Sequence, residues 1–220
     1  MMTEEEILAL YERENAIWFF DYNGDPKVPH VELTSGLCSD GYVNSAPVLA
    51  DPEKVSMLVS ELVTRLAKRK VVKFDWVIGS AYSAITFSYE LAGQFGAKHG
   101  FVKKDPENQK RMVWTDLTIP TGAMILQCEE LITTFGTALE VRRAVQEGNK
   151  EPVFFLPDVA TAVYRPEKLQ GGLIDVISLV AREVKTWKPG ECPLCIQGSP
   201  RLRPRVTQEN WARLTGNRRM

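Results

Sequence analysis

The chain has 220 residues, enough for one sizeable domain, and its 44% hydrophobic and 25% charged content excludes a disordered chain. A formal net charge of −1 gives no overall basic field for nucleic acid, and no apolar run reaches the roughly 18–20 residues of a membrane helix. The acidic opening Met1–Glu6 lacks the pattern of a secretory leader, and four cysteines are too few and scattered for a disulfide framework, so a reduced cytoplasm is the expected compartment.

Thr3–Phe20 reads as an opening helix. Thr3 can cap it, Glu4–Glu6 suit its positive end, and Ile7, Leu8, Leu10 and Tyr11 recur at helical spacing. A turn follows over Tyr22–Pro29, then short extended pieces over His30–Leu49. Asp51-Pro52 opens a long helix whose apolar face is Val55, Leu58, Val59, Leu62, Val63 and Leu66. Strands and helices then alternate: Trp76–Gly79 (strand), Ala84–Phe95 (helix), Gly100–Lys103 (strand), Ala123–Cys128 (strand), Gly136–Glu147 (helix), Val153–Leu156 and Ile174–Val180 (strands). This rhythm predicts an α/β fold, a parallel twisted sheet flanked by helices. Periodicity fades from Lys188. The predicted organisation is therefore a domain over 1–187, including a small N-terminal hood, and a C-terminal tail over 188–220. The arginines of that tail (Arg201, Arg203, Arg205, Arg213, Arg218, Arg219) read as solvated side chains rather than a nucleic-acid face.

Most of the chemical information lies in Ala123–Val145. A buried strand runs into two carboxylates, Glu129 and Glu130, then two apolar residues, then Thr133-Thr134-Phe135-Gly136-Thr137 and a helix. A Thr/Gly turn opening a helix offers N–H groups and a dipole end to a phosphate, at the strand end where α/β sheets bind ligands. Paired carboxylates just upstream suit the vicinal hydroxyls of a ribose.

This order resembles the phosphoribosyl-diphosphate (PRPP) signature of type I phosphoribosyltransferases. The resemblance implies that Glu129 and Glu130 hold the ribose hydroxyls and that Thr133–Thr137 wrap the 5-phosphate. Glu130 stands where Asp is usual and Phe135 where Gly is usual. Leu33–Asn44 is similar to the segment that covers the base in orotate phosphoribosyltransferases, which assigns Thr34, Ser35 and Gly36 to base binding, with Thr34 in a place often held by Lys. Ser80-Ala81-Tyr82 corresponds to the turn that grips pyrophosphate, followed by Ser83 where some members carry Lys. The basic stretch with Lys103, Lys104 and Lys110 corresponds to a mobile loop that closes over PRPP, often onto a neighbouring subunit, and supplies the candidate catalytic lysines. The resemblance covers His30–Gly148, and more loosely the chain to Val184.

Cys192-Pro193-Leu194-Cys195 has a spacing that can chelate zinc. Of the remaining candidates, Cys38, Cys128, His30 and His99, no two form a second compact pair. An intramolecular knuckle, a zinc shared between chains or a redox pair, and an unmetallated turn all stay open. The last is preferred, and no protein metal ligand is assigned. The resemblance thus implies Mg²⁺-dependent transfer of a phosphoribosyl group from PRPP to a nitrogenous base, orotate in first place, by a homodimer without nucleic-acid or membrane partners. The alternative is a ligand-binding or regulatory protein on the same fold that lacks transfer.

Overall fold

The computed structural model describes residues 1–25, 27–115, 117–169 and 174–216. Helix α1 (Glu4–Arg13) begins with a reciprocal cap: Thr3 Oγ1 accepts from the Glu6 N–H and the Glu6 carboxylate accepts from the Thr3 N–H. It stops well before the expected Phe20. Asn15 takes a φ of 52°, a left-handed value that ends a helix, and Ile17–Phe19 becomes strand β1. Three more short strands follow, β2 (His30–Glu32), β3 (Cys38–Ser39) and β4 (Gly41–Val43). β1 pairs with β4, and β2 with β3, both antiparallel.

After the single-turn helix α2 (Ala46–Leu49), helix α3 (Pro52–Lys68) starts at Asp51, whose carboxylate accepts from the Glu53 and Lys54 N–H groups. The main sheet comes next, formed by β5 (Trp76–Ser80), β6 (Lys98–Lys104), β7 (Met112–Trp114), β8 (Met124–Ile132), β9 (Phe154–Tyr164) and β10 (Asp175–Ala181), with helices α4 (Ile85–Phe95) and α5 (Phe135–Gly148). Its order is β10–β9–β8–β5–β6–β7, parallel except for the antiparallel edge strand β7. Side chains alternate across β5: Val77 joins the core under α3 and α4, while Trp76 and Ile78 join the core under α5. Both faces are covered, so β5 is buried throughout. The expected α/β architecture is present.

The chain leaves β5 towards β6 and β7, then returns to the other side of β5 for β8. The carboxyl ends of β5 and β8 therefore flank a topological switch point, where open α/β sheets place their ligands. Gly79 allows the close packing there. A Cβ at this position would lie 2.6 Å from Ser88 Oγ of α4 and 3.0 Å from the Cys128 carbonyl oxygen of β8.

Residues from Lys188 are not a separate tail. β11 (Thr186–Trp187) pairs with β3, and β12 (Arg201–Leu202) pairs with β2, with the short helix α6 (Pro193–Ile196) between them and α7 (Gln208–Leu214) beyond. Leu194, Leu202 and Leu214 pack with Trp18, Phe20 and Val31, and the Trp18 indole N–H donates to the Leu214 carbonyl at 2.9 Å. The predicted division at 187 thus gives way to a hood built from both parts of the chain. These partners lie far apart in sequence, so local periodicity could not reveal them. Arg201 and Arg203 both pair with Glu32; Arg218 and Arg219 lie outside the described residues. Among the described residues, no helix is long and apolar enough to cross a membrane.

Candidate active site

β8 continues past the expected end at Cys128, because Leu131 and Ile132 still pair with Val163 and Tyr164 of β9. Glu129 and Glu130 therefore sit within the last turns of the strand rather than after it. Glu129 is 2% exposed; its carboxylate accepts from Ser80 Oγ at 2.6 Å and from Gln127 Nε2 at 3.1 Å. Burial pushes its carboxyl up to about 7, against the opposing pull of the Ser80 and Gln127 donors. Burial also raises Glu130, opposed by the N–H groups of Glu130 and Leu131 and by the Ser83 hydroxyl. Glu129 is thus enclosed by Ser80 and Gln127, while Glu130 is half-buried.

Thr133 follows β8 and Thr134 is the N-cap of α5. The Thr134 side chain makes no capping bond, and Thr134, Gly136 and Thr137 are exposed. The first-turn N–H groups of α5 thus face outward with their dipole end, an arrangement suited to a phosphate. Phe135 does not fill that space. Its ring lies 6.2 Å from the Tyr164 ring, packed beside the cluster of Ile132, Ala138 and Ile174. At Gly136 an added Cβ would meet nothing nearer than Thr134 Oγ1 at 3.8 Å, so the loop surface is open.

On β5, Ser80 is committed to Glu129, and the Ala81 N–H donates to the Val102 carbonyl at 2.7 Å. Of the expected Ser80-Ala81-Tyr82 grip, Ala81 is therefore occupied within the sheet. The N–H groups of Tyr82 and Ser83 have no acceptor among the described residues. A cleft of about 370 Å³ brings Tyr82 and Ser83 together with Glu130, Leu131, Asn44 and Ser45. A larger cleft of about 520 Å³, lined by Asp75, Trp76, Lys98 and Gly122, lies at the amino ends of the same strands, away from the acidic pair.

The basic stretch is a hairpin: Lys103 and Lys104 of β6 pair with Val113 and Met112 of β7, and Lys110 lies in the exposed connection. Beside the connection it is fastened to α5, where Glu140 accepts from the Met112 N–H and Arg143 donates to the Met112 carbonyl. Thr34, Ser35 and Gly36 form the turn between β2 and β3, with Gly36 at φ 81°. Neither these residues nor the three lysines line the 370 Å³ cleft. Arg165, which follows β9 beside the end of β8, was not singled out by motif. Its N–H donates to the Ile132 carbonyl, and its buried Nε has no partner among the described residues. A lone arginine after an apolar strand carries no sequence signal of its own.

No protein-family model matches the chain. It is 32% identical over 192 residues to an orotate phosphoribosyltransferase of Desulforamulus reducens, covering 87% of this chain and 96% of the relative. It is 34% identical over 179 residues to an orotate phosphoribosyltransferase of Caldicellulosiruptor bescii, covering 80% and 87%. The crystal structure of orotate phosphoribosyltransferase from Aeropyrum pernix shares the fold, with a TM-score of 0.55 at 16% identity over 80% of this chain and 93% of that one. At that identity and coverage, the chain belongs to the orotate phosphoribosyltransferase family of enzymes.

Proposed function

We propose that the protein transfers the phosphoribosyl group of PRPP to orotate. A ring nitrogen of the base forms a bond to ribose C1 and gives up its proton to solvent, while the bond from C1 to the pyrophosphate oxygen breaks and pyrophosphate leaves with that electron pair. The observation that carries this reading is the juxtaposition of Glu129, bonded to Ser80 across the switch point, with the uncapped start of α5. Glu129 and Glu130 accept from the ribose hydroxyls. The first turn of α5, with Thr133, Thr134 and Thr137, holds the 5-phosphate, and the Tyr82 and Ser83 N–H groups meet the pyrophosphate. The half-buried guanidinium of Arg165, with its Nε unpartnered among the described residues, suits the carboxylate of the base.

The two carboxylates are hard oxygen donors and fit a Mg²⁺ carried by PRPP, which would neutralise charge on the departing diphosphate. Lys103 and Lys104 are proposed to close over the substrate, from a neighbouring subunit of a homodimer. The reaction is checked by pyrophosphate release from PRPP with orotate, uracil or adenine against a control without base. Turnover with orotate alone is expected, and equal release without base would overturn the reading.

The placement of Phe135 against Tyr164 predicts that Phe135→Gly changes PRPP affinity by less than about tenfold, or roughly 1.4 kcal/mol. Calorimetry would check it. A wild type that binds no PRPP, beside a variant that does, would show that the ring blocks the phosphate.

A further inference from the structure

The hood contains a second constellation, none of whose members lines the 370 Å³ cleft. His30 of β2, Cys38 of β3, and Cys192 and Cys195 at α6 place their four ligand atoms within 4.8 Å of one another. Cys195 Sγ lies 3.4 Å from His30 Nε2 and 3.6 Å from Cys38 Sγ, and Cys192 Sγ lies 3.7 Å from His30 Nε2. Tetrahedral zinc, with bonds of about 2.3 Å to sulfur and about 2.0 Å to nitrogen, sets its ligands roughly 3.5–3.8 Å apart. These three spacings lie within about 0.1 Å of that range, and the remaining ones within 4.8 Å. His30, Cys38 and Cys192 are fully buried.

The imidazole is also oriented for a metal. Ser199 Oγ donates to the Val28 carbonyl at 2.6 Å and lies 2.8 Å from His30 Nδ1. The hydroxyl proton is committed to Val28, so Ser199 accepts, and Nδ1 carries the ring proton. The lone pair of Nε2 then lies on the side of Cys192 and Cys195, the tautomer that a metal-binding histidine takes when its other nitrogen is held by a hydrogen bond.

We propose that His30, Cys38, Cys192 and Cys195 bind a single Zn²⁺ in a closed tetrahedral site that staples α6 to the β2–β3 hairpin. With four protein ligands no position is left for water or substrate, so the ion is structural. The sequence hid the set because two ligands flank a hairpin turn and the other two lie more than 150 residues away in the chain. Binding releases the thiol protons to solvent, so loading favours neutral over acidic pH.

Metal analysis of the full chain, purified without chelators, should find a single zinc per chain. Stripped wild type titrated with Co²⁺ should give the intense visible bands of tetrahedral cobalt with thiolate charge transfer. Cys192→Ser with Cys195→Ser should lose both signals, and Cys128→Ala should keep them. Ser199→Ala should weaken zinc binding by about 10–100-fold, a change that does not depend on losing a ligand or the fold. Wild type free of zinc, without a cobalt spectrum and with four titratable thiols, would overturn the proposal. So would a Cys38–Cys195 disulfide found by mass spectrometry.

Discussion

Glu129→Gln is expected to weaken PRPP binding by at least about tenfold and, in the same protein without ligand, to raise stability above neutral pH. The first effect follows from the loss of a charge-assisted acceptor, worth roughly 1.5–3 kcal/mol per bond. The second follows from burial. The Glu129 carboxyl is raised from 4.5 to about 7 in the folded protein. Below its ordinary value it is protonated in both states and folding meets no penalty. As pH rises through that value the unfolded chain ionises first, and stability falls until the folded carboxyl also ionises near 7. Above that point the full difference applies, about 3 kcal/mol. Glutamine keeps the shape and does not titrate, so this part of the decline disappears. Denaturant melts at roughly pH 5 and pH 8 check it. Parallel decline in wild type and variant would show that Glu129 is solvated or charged-paired in solution.

Replacing Lys103 and Lys104 together by Gln should lower kcat about 10²–10³-fold while leaving the fold intact. Both side chains are exposed, so the change removes charge rather than packing, and preorganised cations facing a leaving group carry effects of that size. Neighbouring strand residues point to opposite faces, so one of the two single replacements should account for most of the loss and the other for little. The proposed dimer adds a sharper test. Mixing Lys-variant chains with Glu129→Gln chains should restore about a quarter of wild-type activity if the hairpin acts across the twofold, because half the dimers are mixed and each has one intact site. No recovery would place the hairpin over its own subunit's site. A monomer by light scattering would remove the dimer altogether.

The parallel sheet was legible because its strands are short apolar runs alternating with amphipathic helices, as in the helix that Asp51 caps and the apolar run that becomes β8. The acidic pair and the helix start after it were legible because they are contiguous, so strand, carboxylates and the proposed phosphate loop keep their order in space. The hood was not. Its strands have two or three residues, too few for a period, and Ile17–Phe19 looks like the next turn of α1 until Asn15 breaks it. Arg165 escaped for a related reason: what marks it is an unpartnered buried nitrogen, which exists only after folding.

The hood also sets an order of events during synthesis. Trp18 bonds to Leu214, 196 positions later, and β2 pairs in parallel with β12. At typical translation rates of about 5–20 residues per second, roughly 10–40 s separate the appearance of these partners at the ribosome. The β5–β10 sheet can form within that interval, since its strands and helices precede Thr186. Trp18, Phe20 and Val31 wait meanwhile with their apolar faces uncovered. The nascent chain thus presents a sticky patch next to a finished sheet, and growth on a slowed ribosome would lengthen its exposure to holding chaperones and to neighbouring copies on the same message.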